Sequence, residues 1–228
     1  MRYAEPSDHG YLAESITDAH HAAIIARLLM DAGLRRGDRV VEIGAGCGRY
    51  TQLLVDQGLR VVATEPDPFL HHQLQRRFAN EPAVTVECRG VEQIDAASLG
   101  QCRGIVGFHV LHHLDTLALA HLQRLLEHAQ GPEEPCAAFL EPNPLNPLYA
   151  IQIALHPGMR FREERGLWAR YCGPGSPCPS LKPCRHLGLV PPAISRRLAL
   201  AKLPPIASPI WSPWSCYRGI VRRSSGVA

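Results

Sequence analysis

The chain lacks any run of the roughly 18 consecutive apolar residues that a membrane helix needs, so no membrane partner is expected. Its first residues carry Glu5, Asp8 and Glu14 where a secretory leader would have a basic start and an apolar core, and a cytoplasmic protein is expected. It has no internal repeat. It also lacks an excess of one charge: 24 Lys and Arg stand against 21 Asp and Glu, a formal net +3 with both signs interspersed. That is not the dense basic surface of a dedicated nucleic-acid binder. The expected partner is a small molecule and not nucleic acid.

Closely spaced metal ligands are missing too. Cys172, Cys178 and Cys184 are evenly spaced, with His186 just beyond. Zinc sites usually pair cysteines two to four residues apart, and here Pro174, Pro177, Pro179 and Pro183 interrupt the series. No metal is expected, and residues 172–192 read as a Pro/Gly-rich loop with adventitious cysteines. In a reducing compartment the eight cysteines are mostly free thiols, with Cys47, Cys88, Cys102 and Cys136 as packing residues.

What is present is one domain's worth of alternating pattern. The length of 228 residues suits a single domain with a lid or tail. Residues 15–32 read as an amphipathic helix with Ile24 and Leu28 on its buried face, started by Thr17 or Asp18 and stopped by Gly33. Short apolar runs follow at Val40–Ile43, Val61–Thr64, Val84–Cys88, Ile105–Phe108 and Ala137–Leu140. Helical stretches at Tyr50–Gln57, Phe69–Asn80 and Thr116–Ala129 separate them. Continuously apolar strands joined by helices predict a doubly wound, mostly parallel Rossmann-like α/β sheet with helices on both faces. Residues 1–34 are expected to form a helical lid and 35–228 the main domain. Leu145–Leu155 reads as a further helix and 216–222 as a late strand.

The strongest local signal is Val40-Val41-Glu42-Ile43-Gly44-Ala45-Gly46-Cys47-Gly48-Arg49. A strand ends in an acid, a glycine turn follows, and a helix begins. Glycines allow positive φ and close ligand approach, and the helix start offers free N–H groups. The dinucleotide fingerprint Gly-x-Gly-x-x-Gly, shaped around a pyrophosphate, is absent. A carboxylate beside the turn suits a cationic ligand better than a pyrophosphate. Glu65-Pro66 closes the second strand, and an acid there can accept hydrogen bonds from both ribose hydroxyls.

These residues resemble the class I S-adenosylmethionine (SAM)-dependent methyltransferases over roughly residues 35–170. The resemblance implies SAM as cofactor. Glu42 with Gly44, Gly46 and Gly48 would hold its methionine part, Glu65 its ribose, and Arg89-Gly90-Val91-Glu92 would frame the adenine, with Val91 on the ring and Glu92 at its edge. Many small-molecule methyltransferases carry a similar VLHHL segment, here Val110-Leu111-His112-His113-Leu114. His109 would then face the sulfonium. His112, starting the next helix, would reach the acceptor as a base; otherwise His112 and His113 cap and pack that helix. Arg103-Gly104 stands where many relatives open the fourth strand with an acid.

Glu141-Pro142-Asn143-Pro144-Leu145-Asn146-Pro147-Leu148-Tyr149 follows the fifth strand as a rigid loop, presenting Glu141, Asn143 and Tyr149 to the cleft. A similar stretch followed by Pro157-Gly158-Met159-Arg160 occurs in methyltransferase-like proteins of specialised metabolism. Tyr3 and Tyr11 are candidates to close over SAM. The functional expectation is in-line methyl transfer to a small molecule. One alternative is a SAM-consuming cyclase, in which the α-amino nitrogen attacks the γ-carbon to give azetidine-2-carboxylate and methylthioadenosine. The other is a SAM-binding protein without turnover.

Overall fold

The computed structural model describes residues 19–128, 135–142, 151, 154, 176, 178–187 and 214–220. In chain order they form α1 (Ala19–Asp31), β1 (Arg39–Ile43), α2 (Arg49–Asp56), β2 (Arg60–Thr64), α3 (Pro68–Arg77), β3 (Val84–Glu87), α4 (Ala96–Gly100), β4 (Gly104–Phe108), α5 (Thr116–His128), β5 (Cys136–Pro142), β6 (Leu181–Leu187) and β7 (Trp214–Ile220). Short 3₁₀ turns at Val91–Gln93 and Leu111–His113 precede α4 and α5.

Helix starts follow local chemistry. Asp67 accepts the N–H groups of Phe69 and Leu70 at the start of α3, where Pro68 supplies a preset φ. Asp95 and Asp115 accept the Ser98 and Ala118 N–H groups in the same way. Gly33, at φ +77°, stops α1.

The seven strands run in the order β3-β2-β1-β4-β5-β7-β6. The five from β3 to β5 are parallel, and β7 runs antiparallel to both β5 and β6. This is the expected doubly wound sheet with a late antiparallel strand, and 216–222 overlaps β7.

Residues 172–192 are not all loop, however: Leu181–Leu187 form the outer strand β6. Proline concealed it. Pro183 lies where the register with β7 shifts, and an edge strand tolerates a proline at such an irregularity. α4 was likewise missed, being a single short turn of helix. Leu145–Leu155 lies almost wholly outside the described residues, as do residues 1–18 with Tyr3 and Tyr11.

Successive strand residues feed two cores. Val41, Ile43, Ile105 and Phe139 pack with Leu99, Leu119 and Leu122 on the face covered by α4 and α5. Val40, Val61, Val106 and Ala138 pack with Ile25, Leu28, Leu54, Leu74 and Phe78 on the face of α1, α2 and α3. Fully burying each large apolar side chain contributes about 1.5–3 kcal/mol. The described part of α1 is thus a layer of the domain, with Ile25 fully buried.

Strand order reverses between β1 and β4. In open α/β sheets a crevice forms there at the carboxyl ends of the strands.

Candidate active site

The turn after β1 uses three glycines for three purposes. Gly44, Gly46 and Gly48 have φ of +65°, +57° and +84°, values that disfavour any residue with a Cβ. A Cβ on Gly44 would lie 2.5 Å from Val110, so this turn and the loop after β4 touch. A Cβ on Gly48 would run into Phe78 and Leu74 of the α3 region. A Cβ on Gly46 would meet nothing within 4 Å. Gly46 therefore borders open space, the cradle that a ligand's approach requires.

Two acids flank that cradle. Glu65, 6% exposed, accepts the Gly46 N–H at 2.8 Å on one oxygen and the Asp67 N–H at 2.9 Å on the other. Burial raises its pKa, against the lowering pull of those two hydrogen bonds. Glu42, 1% exposed, accepts the Thr51 hydroxyl at 2.6 Å. Burial pushes its pKa up to about 7; the Thr51 bond opposes this and the neighbouring Glu65 charge adds to it. Buried carboxyls held near neutrality beside an open glycine turn are what a cationic ligand would ionise and pair with. The residues present thus fit the amino-acid and ribose ends of SAM.

Beyond β3, Gly90 donates its N–H to Gln93 at 2.9 Å and opens the 3₁₀ turn that buries Val91. Glu92 and Pro66 are exposed, and both lie beside Gly90. The expected adenine-framing residues therefore share one small region next to Glu65.

The acceptor side is built on β4 and β5. Glu141, fully buried at the end of β5, receives the Val110 and Leu111 N–H groups, both at 2.9 Å, on one oxygen. Its other oxygen lies 2.7 Å from His112 Nδ1. A carboxylate in that position makes Nδ1 the proton-bearing nitrogen and Nε2 the basic one. His112 does not start the helix as expected; it sits in the Leu111–His113 turn, ahead of α5 at Thr116. His109 has φ +55°, a left-handed conformation uncommon outside glycine, and its N–H donates to the Leu140 carbonyl at 2.8 Å. Asn143, Tyr149 and Tyr11 lie outside the described residues.

Tyr50 and Thr51 were missed. Tyr50 stacks on Phe108 with centroids 4.7 Å apart and rings 14° from parallel, and tilts against His109 at 5.6 Å. Burial, then the Arg49, Glu141 and Glu42 charges in that order, set its pKa, which rises to about 12. The only sequence signal for either residue was position: both stand in the first turn after the glycine loop.

Residues 41–131 match the family model described as "Methyltransferase domain". The methyltransferase domain of bacterial CtHen1-CN shares the fold over 89% of this chain and 98% of its own, with a TM-score of 0.58 at 13% identity. The chain belongs to the class I SAM-dependent methyltransferases. Curated relatives of this methyltransferase are named Ribosomal RNA small subunit methyltransferase A. The one from Thermosynechococcus vestitus is 38% identical over 44% of this chain and 37% of its own length. That from Mycobacterium tuberculosis (strain ATCC 25177 / H37Ra) is 32% identical over 45% of this chain and 34% of its own. The chain thus spans about a third of the length of the curated relatives it matches. Their names overturn one expectation: nucleic acid is not excluded as a partner. The inference from a small net charge failed because a global balance says nothing about local arrangement. No described helix is long and apolar enough to cross a membrane.

Proposed function

We propose that this methyltransferase moves the methyl group of SAM onto a nucleophile whose proton is taken by His112. SAM when bound supplies an electrophilic methyl on sulfur. The protein's part is to hold, orient and deprotonate. The Gly44–Gly48 turn and Glu42 hold the amino-acid end, Glu65 the ribose, and Val91 with Glu92 and Pro66 the adenine. Glu141 is the positioning residue: it fixes the turn through Val110 and Leu111 and fixes the tautomer of His112. The observation that carries the proposal is the 2.7 Å contact between His112 Nδ1 and a fully buried carboxylate, which makes Nε2 a general base.

The acceptor supplies an N, O, S or C nucleophile. A small-molecule acceptor fits the VLHHL resemblance; an RNA base fits the names of the curated relatives. The purified protein is incubated with SAM alone, with a panel of small-molecule nucleophiles, and with small-subunit ribosomal RNA, and products are identified by mass spectrometry. S-Adenosylhomocysteine together with a methylated acceptor is expected. Methylthioadenosine and a cyclic amino acid from SAM alone would replace methyl transfer with ring closure. Tight binding with no product from any acceptor would leave a SAM sensor.

His112→Ala should abolish turnover and retain SAM binding. Glu141→Gln keeps an oxygen for the two backbone N–H groups and loses the charge. It should lower kcat far more than KM and flatten the pH profile of kcat. Full activity of His112→Ala would remove the base from the mechanism.

A further inference from the structure

The amino edge of the sheet, at the opposite ends of the strands from the candidate active site, carries a row of arginines. Arg39 of β1 is the register partner of Arg60 of β2. Arg103, just before β4, donates its N–H to the Arg39 carbonyl at 2.6 Å and so continues the row on the other side. Adjacent strands lie about 4.8 Å apart. Like charges set side by side at that spacing cost stability, so a fold gains nothing from such a row by itself. Arg35 and Arg36 stand in the turn that leads into β1.

None of Arg35, Arg36, Arg39 and Arg60 pairs with a carboxylate among the described residues. Arg39 donates to the uncharged Gln101 and Arg60 to the Gly37 carbonyl. Asp38, the acid nearest in sequence, accepts the Arg35 backbone N–H at 2.7 Å.

Beside the row lies a groove of about 310 Å³. Leu29, Met30, Leu34 and Leu59 line it, with Arg35 and Arg36 at its rim, and Met30 is 59% exposed. A basic row beside an open apolar groove calls for a ligand with phosphates and an apolar face together. Single-stranded RNA presents both, because its unstacked bases are free to rest on a protein surface while the backbone meets arginines. A free inorganic anion would leave the groove empty, and a duplex hides its base faces.

We propose that the amino edge of the sheet binds single-stranded RNA, with Arg35, Arg36, Arg39 and Arg60 on the phosphates and the Leu29–Met30–Leu59 groove against a base. This surface is separate from the methyl-transfer site, and the proposal does not depend on that reading. RNA held here is anchored rather than methylated at this point.

Fluorescence anisotropy of a labelled, mixed-sequence single-stranded RNA tests it, without SAM, between about 50 and 200 mM salt. Wild-type protein should bind, with affinity falling steeply as salt rises. Arg35→Gln/Arg36→Gln should weaken binding at least tenfold and reduce the salt slope by about 1.4, at roughly 0.7 per lost contact. Arg39→Gln/Arg60→Gln should act alike, and Met30→Glu should weaken binding with no loss of a basic group. Arg76→Glu on α3, an equal change of net charge to each double variant, should leave binding within about twofold of wild type.

Thermal melting and SAM binding, measured on each variant, separate a lost surface from a lost fold. No anisotropy change up to roughly 100 µM protein, equal weakening by Arg76→Glu, or binding of polyglutamate in place of RNA would each overturn the proposal.

Discussion

Glu42 and Glu65 sit a few ångströms of chain from the same glycine turn, yet their chemistry differs. Glu65 has both oxygens engaged by backbone N–H groups. Converting it to Ala removes hydrogen bonds to a charged acceptor, each worth about 1.5–3 kcal/mol. SAM affinity in calorimetry should fall by that order, and unchanged affinity would place the ribose elsewhere.

Glu42 has a pKa raised from 4.5 to about 7. An acid raised on folding binds its proton more tightly in the folded state. Its stabilising share is present at low pH and is lost as pH climbs from about 4.5 through about 7. Glu42→Gln should therefore gain stability over wild type at pH 8 and not at pH 4, by up to about 3 kcal/mol for a shift of this size. Denaturant melts at the two pH values check it. In binding, a cationic amino group beside Glu42 drives off that proton. SAM affinity should rise from pH 6 to pH 8 in wild type and be flat in Glu42→Gln.

At the scale of elements, the glycine turn separates folding from binding. Gly48→Ala forces a methyl into Phe78 and Leu74 as well as straining φ, and should cost about 1–3 kcal/mol of stability. Gly46→Ala meets no atom within 4 Å. It should cost only the left-handed strain of about 1–2 kcal/mol and abolish SAM binding by filling the cradle. Melting temperature and calorimetry on the pair read the two effects apart.

The five parallel strands were legible because each is a continuous apolar run between helical stretches, and Glu42 and Glu65 because they end such runs. The pairing of His112 with Glu141 was not, although each residue stood out. They are 29 residues apart in sequence and meet only because β4 and β5 are neighbours. β6 was hidden by Pro183, and Tyr50 looked like any aromatic in a first helical turn.

For the molecule as a whole, the sheet places its two chemistries at opposite ends. Glu42, Glu65 and Glu141 gather where the parallel strands finish, and Arg39, Arg60 and Arg103 where they begin. The molecule is thereby electrically polarised along its strands. A sulfonium nucleoside drifting past is drawn toward one pole and a polyphosphate toward the other, so the two arrive already sorted and need not compete for one entrance. Such long-range sorting weakens once ions shorten the reach of the field to about 8 Å at physiological strength. Association rates for both ligands should then fall together with added salt, while their dissociation rates change far less.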